Sequence, residues 1–256
     1  MSSRFSFALL CFQTFAQPLK IASLPYPPFT YLENGKPTGM AVDIVNEVMD
    51  RLDIEHEVMV IPWARAMRGM ETGDVDALFP MFKTDERERF TNYPNLPVVY
   101  ESMALFIPTN SDISYKGNIA SLSKYTFCIV RGYSSGKKFD EAIENKTLPQ
   151  IDLANSSTLN VKKFLRHRCN ILVDNDAVVY HLLPKLNAST KDLKILKHLV
   201  QEPSFLGFSK HGQGKDLAQK VTPIIQAMLD DGTIHGIAER YLGEGVRNWP
   251  QENSDN

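Results

Sequence analysis

No apolar run in this chain of 256 residues approaches the ~20 needed for a membrane-spanning helix. The nearest candidate, Phe5 to Phe15, is too short. It follows Arg4 and precedes Ala16-Gln17, the pattern of a secretory leader over residues 1–17, so a soluble mature protein exported to the periplasm is expected. Charge of one sign is also lacking: 28 basic and 30 acidic residues are mixed along the chain, which leaves no basic face for nucleic acid. Cysteine is scarce. Of three, Cys11 falls in the leader, and the other two, Cys128 and Cys169, lie in apolar runs as either buried thiols or a disulfide, which an oxidising compartment permits. There is no Cys-x-x-Cys, and the six histidines are scattered, so no metal or other cofactor is expected. Neither a fixed-period repeat nor a low-complexity segment occurs. No nucleophile–base pair or paired carboxylates stand out, which argues against an enzyme.

What is present is an alternation of strand and helix. A hydrophobic fraction of 43% supports a well-buried core. Leu19 to Ser23 reads as a strand, Tyr26-Pro27-Pro28-Phe29 as non-helical, and Glu33 to Lys36 as a turn. Ile44, Val45, Val48, Met49 and Leu52 share one helical face. His56 to Ile61 alternates as a second strand. Ile61 to Phe90 is the most informative stretch. A helix ends at Gly73, a short apolar strand ends near Pro80, and a charged loop carries Thr84, Arg87 and Arg89. Ligands in open α/β sheets sit beyond the carboxyl ends of strands, where the Arg87 guanidinium could grip a carboxylate bidentately. The competing reading of that loop is a solvated run of charges.

A second α/β series follows. Ser102 to Ile107 is an apolar strand leading into a polar crossing, Pro108 to Lys116. Strands are expected at Tyr125–Val130 and Ile171–Asp174, and helices at Lys137–Glu144, Thr158–Arg166 and Ala177–Leu183. Phe205 to Ser209 matches Ala104 to Ile107 in length and character, as a returning antiparallel strand would. Lys215–Leu229 and Ile234–Leu242 close the series as helices.

Five motifs occur in one order: Tyr26-Pro27-Pro28-Phe29, Gly39 with Val42-Asp43-Ile44, Gly73-Asp74-Val75-Asp76-Ala77, Thr84-x-x-Arg87, and Asp231-Gly232-Thr233. Together, from Leu19 to Trp249, the chain resembles the periplasmic solute-binding proteins of ABC importers, family 3, which mostly bind amino acids. The resemblance implies an α/β, two-lobed periplasmic-binding-protein fold of type II with two hinge strands. Residues 18–107 and 205–249 would form the first lobe, 108–204 the second, and 250–256 a tail. It also implies a monomer that captures a small carboxylate-bearing ligand and delivers it to the membrane permease of an ABC importer. By the same resemblance, Arg87 grips the ligand carboxylate, and Asp176, with Asp174 as the alternative, receives the ammonium from the second lobe. Tyr26 and Trp63 are aromatic walls, and Ser134 a hydroxyl at a helix N-terminus. Each has a plainer reading: Asp176 and Ser134 as helix caps, Trp63 as core.

Departures from the family pattern are as informative. Pro80-Met81-Phe82-Lys83 stands where relatives carry hydroxyls, putting Phe82 in the pocket. Ser23 replaces the acid that some relatives use for basic side chains. Arg65 either enters the cleft as a second cation or faces solvent. A cyclohexadienyl-type dehydratase and a ligand sensor acting through a separate membrane receptor are the alternatives that the same fold would allow.

Overall fold

The computed structural model describes residues 17–242, so the expected leader, apart from Gln17, and residues 243–256 lie outside it. In the first half, β1 (Leu19–Ser23) pairs in parallel with β4 (His56–Val60) and β5 (Ala77–Phe82). A hairpin of β2 (Tyr31–Glu33) and β3 (Lys36–Thr38) turns at Asn34-Gly35, both at positive φ, the geometry a two-residue hairpin loop needs. The helix α1 (Met40–Arg51) buries Ile44, Val45, Val48 and Met49 along one face, and α2 (Trp63–Thr72) stops at left-handed Gly73. Gly39, at φ 123°, starts α1 so close to the Pro-Pro-Phe loop that a Cβ there would lie 2.5 Å from the Phe29 carbonyl oxygen. That contact ties the loop to the helix and fixes where Tyr26 stands.

All six residues of β5 are buried, as expected of a strand covered on both faces. It runs through Pro80 to Phe82 rather than ending at the proline. The opposing strand accommodates this: its register shifts between Phe205 and Gly207, across from the position that has no N–H to donate.

A short β6 (Thr91–Asn92) precedes β7 (Val99–Pro108). The second half contains β8 (Phe127–Val130), α3 (Lys137–Glu144), β9 (Ile151–Ala154), α4 (Ser157–Leu165), β10 (Ile171–Asn175) and α5 (Asp176–Lys185). The chain returns through β11 (Leu193–Ser209) to α6 (Ala218–Asp230) and α7 (Thr233–Leu242). Sheet order is β4-β1-β5-β11-β7-β10-β8-β9, with β6 beside β11. The antiparallel pair β7 and β11 therefore stands between two parallel halves and belongs to both.

Strand β7 already serves the second half before residue 107. Met103 to Phe106 already pair with β10, and Leu105 and Ile107 pack with Leu122, Phe127 and Phe139 of the second half. The returning strand is also much longer than Phe205–Ser209. Its first part carries Lys194, Lys197, His198, Glu202 and Pro203, which hide a strand from a reading by hydrophobicity, yet it pairs with β7 from Leu193↔Pro108 to Ser204↔Val99. Cys128 and Cys169 form a disulfide, with Cα atoms 5.6 Å apart, that ties β8 to the turn before β10.

Candidate functional site

Between the halves lies a narrow cleft with a cavity volume of about 30 Å³, bounded by residues near the ends of β1, β5 and β8 and by one face of β7. Strand alternation puts Glu101 and Met103 of β7 on the same side, facing this space. Tyr26, Phe29 and Tyr133 form an aromatic cluster, with Tyr133 edge-on to both Tyr26 (5.9 Å) and Trp63 (5.8 Å). Leu24, Pro80, Met81 and Phe82 complete the apolar lining.

Arg87 is 7% exposed and enters the cleft from the turn after β5. Its Nη1 donates to the Phe82 carbonyl (3.0 Å) and its Nη2 to the Gly132 carbonyl (3.3 Å). The guanidinium lies 4.9 Å from the Trp63 ring centroid, a cation–π contact. No carboxylate among the described residues lies within 4 Å of it. Burial pulls the guanidinium below its ordinary value, opposed chiefly by the Tyr93, Asp140, Glu86 and Glu101 charges. A buried cation without a paired anion favours an incoming one.

Gly132 is where the two halves meet. Its carbonyl also accepts the Trp63 indole N–H (3.0 Å), so one backbone oxygen of the second half holds both Arg87 and Trp63 of the first. Gly132 adopts φ 76°, and a Cβ there would come within 3.3 Å of the indole. Glycine thus supplies both the left-handed backbone and the close approach.

The structure brings Tyr26, Trp63, Phe82, Arg87 and Ser134 together around this cleft. The Phe82 side chain lines it, and its carbonyl braces Arg87 and accepts the Tyr93 hydroxyl. Ser134 reaches the lining with its hydroxyl donated to Asp140 of α3, whose other oxygen accepts the Ser135 N–H. Burial raises the Asp140 carboxyl, and those two donors offset part of the rise.

Two expected residues stand apart. Arg65 projects from the exposed side of α2, and its side chain makes no ion pair or hydrogen bond among the described residues. Asp176 does not line the cleft. Its Oδ1 accepts the Ala177 N–H, and its Oδ2 lies 3.8 Å from His198 Nδ1 on β11. The first position of α5 turns it toward the helix's own N–H groups and His198 of β11. Asp174, two residues earlier, is 0% exposed, but its oxygens are taken by Ser157, the Asn160 amide and the Asn175 N–H. Burial lifts its carboxyl to about 6 against those hydrogen bonds.

The acid that does line the cleft is Glu101, 5% exposed, with Oε2 accepting the Tyr26 hydroxyl at 2.7 Å. Burial raises its carboxyl; the neighbouring Ser204 and Tyr26 hydroxyls and the Arg87 charge oppose the rise. Burial and the adjacent Glu101 charge push the Tyr26 phenol well above its usual range. Sequence reading missed Glu101, although a signal existed. It is the only charge in the run Val98 to Ile107, and an acid inside a buried strand is rare without a purpose. Sequence reading did not single out Tyr133 or Gly132 either.

The model of the bacterial extracellular solute-binding proteins, family 3, matches residues 19–244. A probable amino-acid-binding protein of Bacillus subtilis (strain 168), YxeM, is 24% identical over 222 residues, 86% of this chain and 81% of the relative. The solved substrate-binding protein of an amino acid ABC transporter is 21% identical, with a TM-score of 0.72 over 88% of this chain and 99% of that one. A histidine kinase sensor domain with similarity to periplasmic binding proteins is 15% identical, with a TM-score of 0.76 over 88% and 96%. At these identities the solved structures establish the fold alone, a two-lobed periplasmic-binding-protein fold of type II.

Proposed function

The chain belongs to the bacterial extracellular solute-binding proteins, family 3, and from that premise we propose that it captures a small carboxylate-bearing solute, an amino acid or close relative, in the cleft between its lobes. It then delivers the solute to the permease of an ABC importer. The observation that carries this reading is Arg87: buried, facing the cleft and free of any carboxylate partner among the described residues. Two of its five N–H groups are spent on carbonyls, so the planar fork keeps donors for a carboxylate. Tyr26, Trp63 and Tyr133 supply apolar walls that exclude water and strengthen that contact. Closure brings the Gly132 carbonyl of the second lobe onto Trp63 and Arg87, so that the first lobe's cation and the second lobe's loop cover the solute from opposite sides. The protein acts as an exported monomer on the outer side of the membrane, with the leader over residues 1–17 removed. The importer carries this reading over a sensor role because the family is that of the solute-binding proteins and one curated relative is a probable amino-acid-binding protein.

The test is titration calorimetry on protein unfolded and refolded to strip bound solute, against a panel of amino acids and small organic acids. At least one carboxylate should bind, and Arg87→Ala should weaken it by about 2–5 kcal/mol, as loss of one partner of a buried charge pair does. Correctly folded protein that binds nothing in the panel, or an Arg87→Ala variant of unchanged affinity, would refute the proposal.

A further inference from the structure

The cleft of this protein holds two buried, oppositely charged side chains, and the negative one comes from neither expected position. We infer that Glu101, on the hinge strand β7, is the residue that receives the ammonium of the amino-acid-type solute proposed above. This rests on the carboxylate reading of Arg87 given above.

Three observations converge. First, the second-lobe acids are committed elsewhere: Asp174 to Ser157, Asn160 and the Asn175 N–H, and Asp176 to its own helix and His198. Second, Glu101 lines the cleft while 5% exposed, and Tyr26 holds it through a 2.7 Å hydrogen bond that orients the carboxylate and leaves it acceptor capacity. Third, the charges of the cleft select for the solute. With Arg87 and Glu101 both buried, a zwitterion pairs each and adds no net charge. A simple carboxylate would neutralise Arg87 but bring a second negative charge toward Glu101. A dicarboxylate would be worse, since Arg65 stands in solvent and contributes no second cation.

The position of Glu101 has a mechanical consequence. Both lobes share β7, so Arg87, Tyr26 and Glu101 can engage both ends of a solute before the lobes close. The second lobe then contributes a cover, Gly132 and Tyr133, rather than half of the charge recognition.

The experiment uses matched pairs: each standard amino acid with a primary amine, and the 2-hydroxy acid that carries a hydroxyl in place of the amine. Calorimetry on the refolded protein should find an amino acid that binds at least tenfold tighter than its hydroxy partner. In Glu101→Gln that ratio should fall to near one through loss of amino-acid affinity, with hydroxy-acid binding unchanged or tighter. Asp176→Asn should leave the ratio as in the parent. Should Glu101→Gln misfold, Tyr26→Phe, which removes the hydrogen bond that orients the Glu101 carboxylate, is the second variant and should lower the ratio. If the parent binds an amino acid and its hydroxy partner equally, or if folded Glu101→Gln preserves the ratio, this inference falls and the carboxylate reading stands. If the parent binds no member of any pair, both fall.

Discussion

Reducing the Cys128–Cys169 bridge should destabilise this protein by about 4 kcal/mol. The bridge joins residues 41 apart in sequence. In the chain-entropy model, a loop of that length removes roughly 13 cal/mol/K from the unfolded ensemble, or ~4 kcal/mol at 25 °C. Reduction is a cleaner perturbation than mutation. Both cysteines are buried, at 0% and 6% exposure, so two thiols stay behind as small apolar groups in the same packing and no cavity opens. Urea unfolding followed by far-UV circular dichroism, with and without reductant present throughout, measures the difference. The midpoint should fall by ~1 M or more, since urea m-values run to about 3 kcal/mol/M. The reduced protein should still fold, because β8 and β10 keep their parallel pairing at Ile171↔Phe127 and Leu172↔Cys128. A loss below about 1 kcal/mol would refute the reasoning, and would mean that the unfolded second lobe is already constrained in other ways.

Two further predictions concern the cleft. Trp63→Phe removes the indole N–H that reaches the Gly132 carbonyl and keeps a ring beside Arg87, so the closed form of the solute-free protein should weaken by about 0.5–1.5 kcal/mol. Small-angle scattering should then show a larger radius of gyration than in the parent, and identical curves would count against Gly132 as the closure contact. For Asp174, burial raises the folded carboxyl from its ordinary 3.8 to about 6. The native state thus holds this proton more tightly than the unfolded chain, and stability from this group falls as pH rises from about 4 to 6, by up to ~3 kcal/mol. Burial pushes Glu101 in the same direction, so the quantity to measure is the difference between the parent and Asp174→Asn. That difference should slope through this window and be flat above about pH 7. A flat difference throughout would refute the burial argument.

The first half of the candidate site was more legible than the second. Thr84-x-x-Arg87 after a strand buried on both faces pointed to an arginine at the cleft, because a strand end and an arginine loop are local in sequence. Tyr26 and Trp63, which the family resemblance put in the walls, line the same cleft, one from a proline-rich loop and the other from the first position of a helix. Asp176 lies away from the cleft for a physical reason. Acids at the start of a helix satisfy that helix's own N–H groups as readily as a ligand, and no pattern in Val173-Asp174-Asn175-Asp176 says which of them faces the cleft.

The sequence by itself determined the alternation of strand and helix, the return of the chain to its first lobe and the family, since each rests on local periodicity and on motifs in a fixed order. Only the tertiary structure decided that the polar stretch Leu193–Pro203 is a strand, that Cys128 meets Cys169, and that Glu101 rather than Asp176 shares the cleft with Arg87. Those three depend on which strands become neighbours, and neighbours in a sheet are chosen by pairing across the whole chain, not by any segment's own composition.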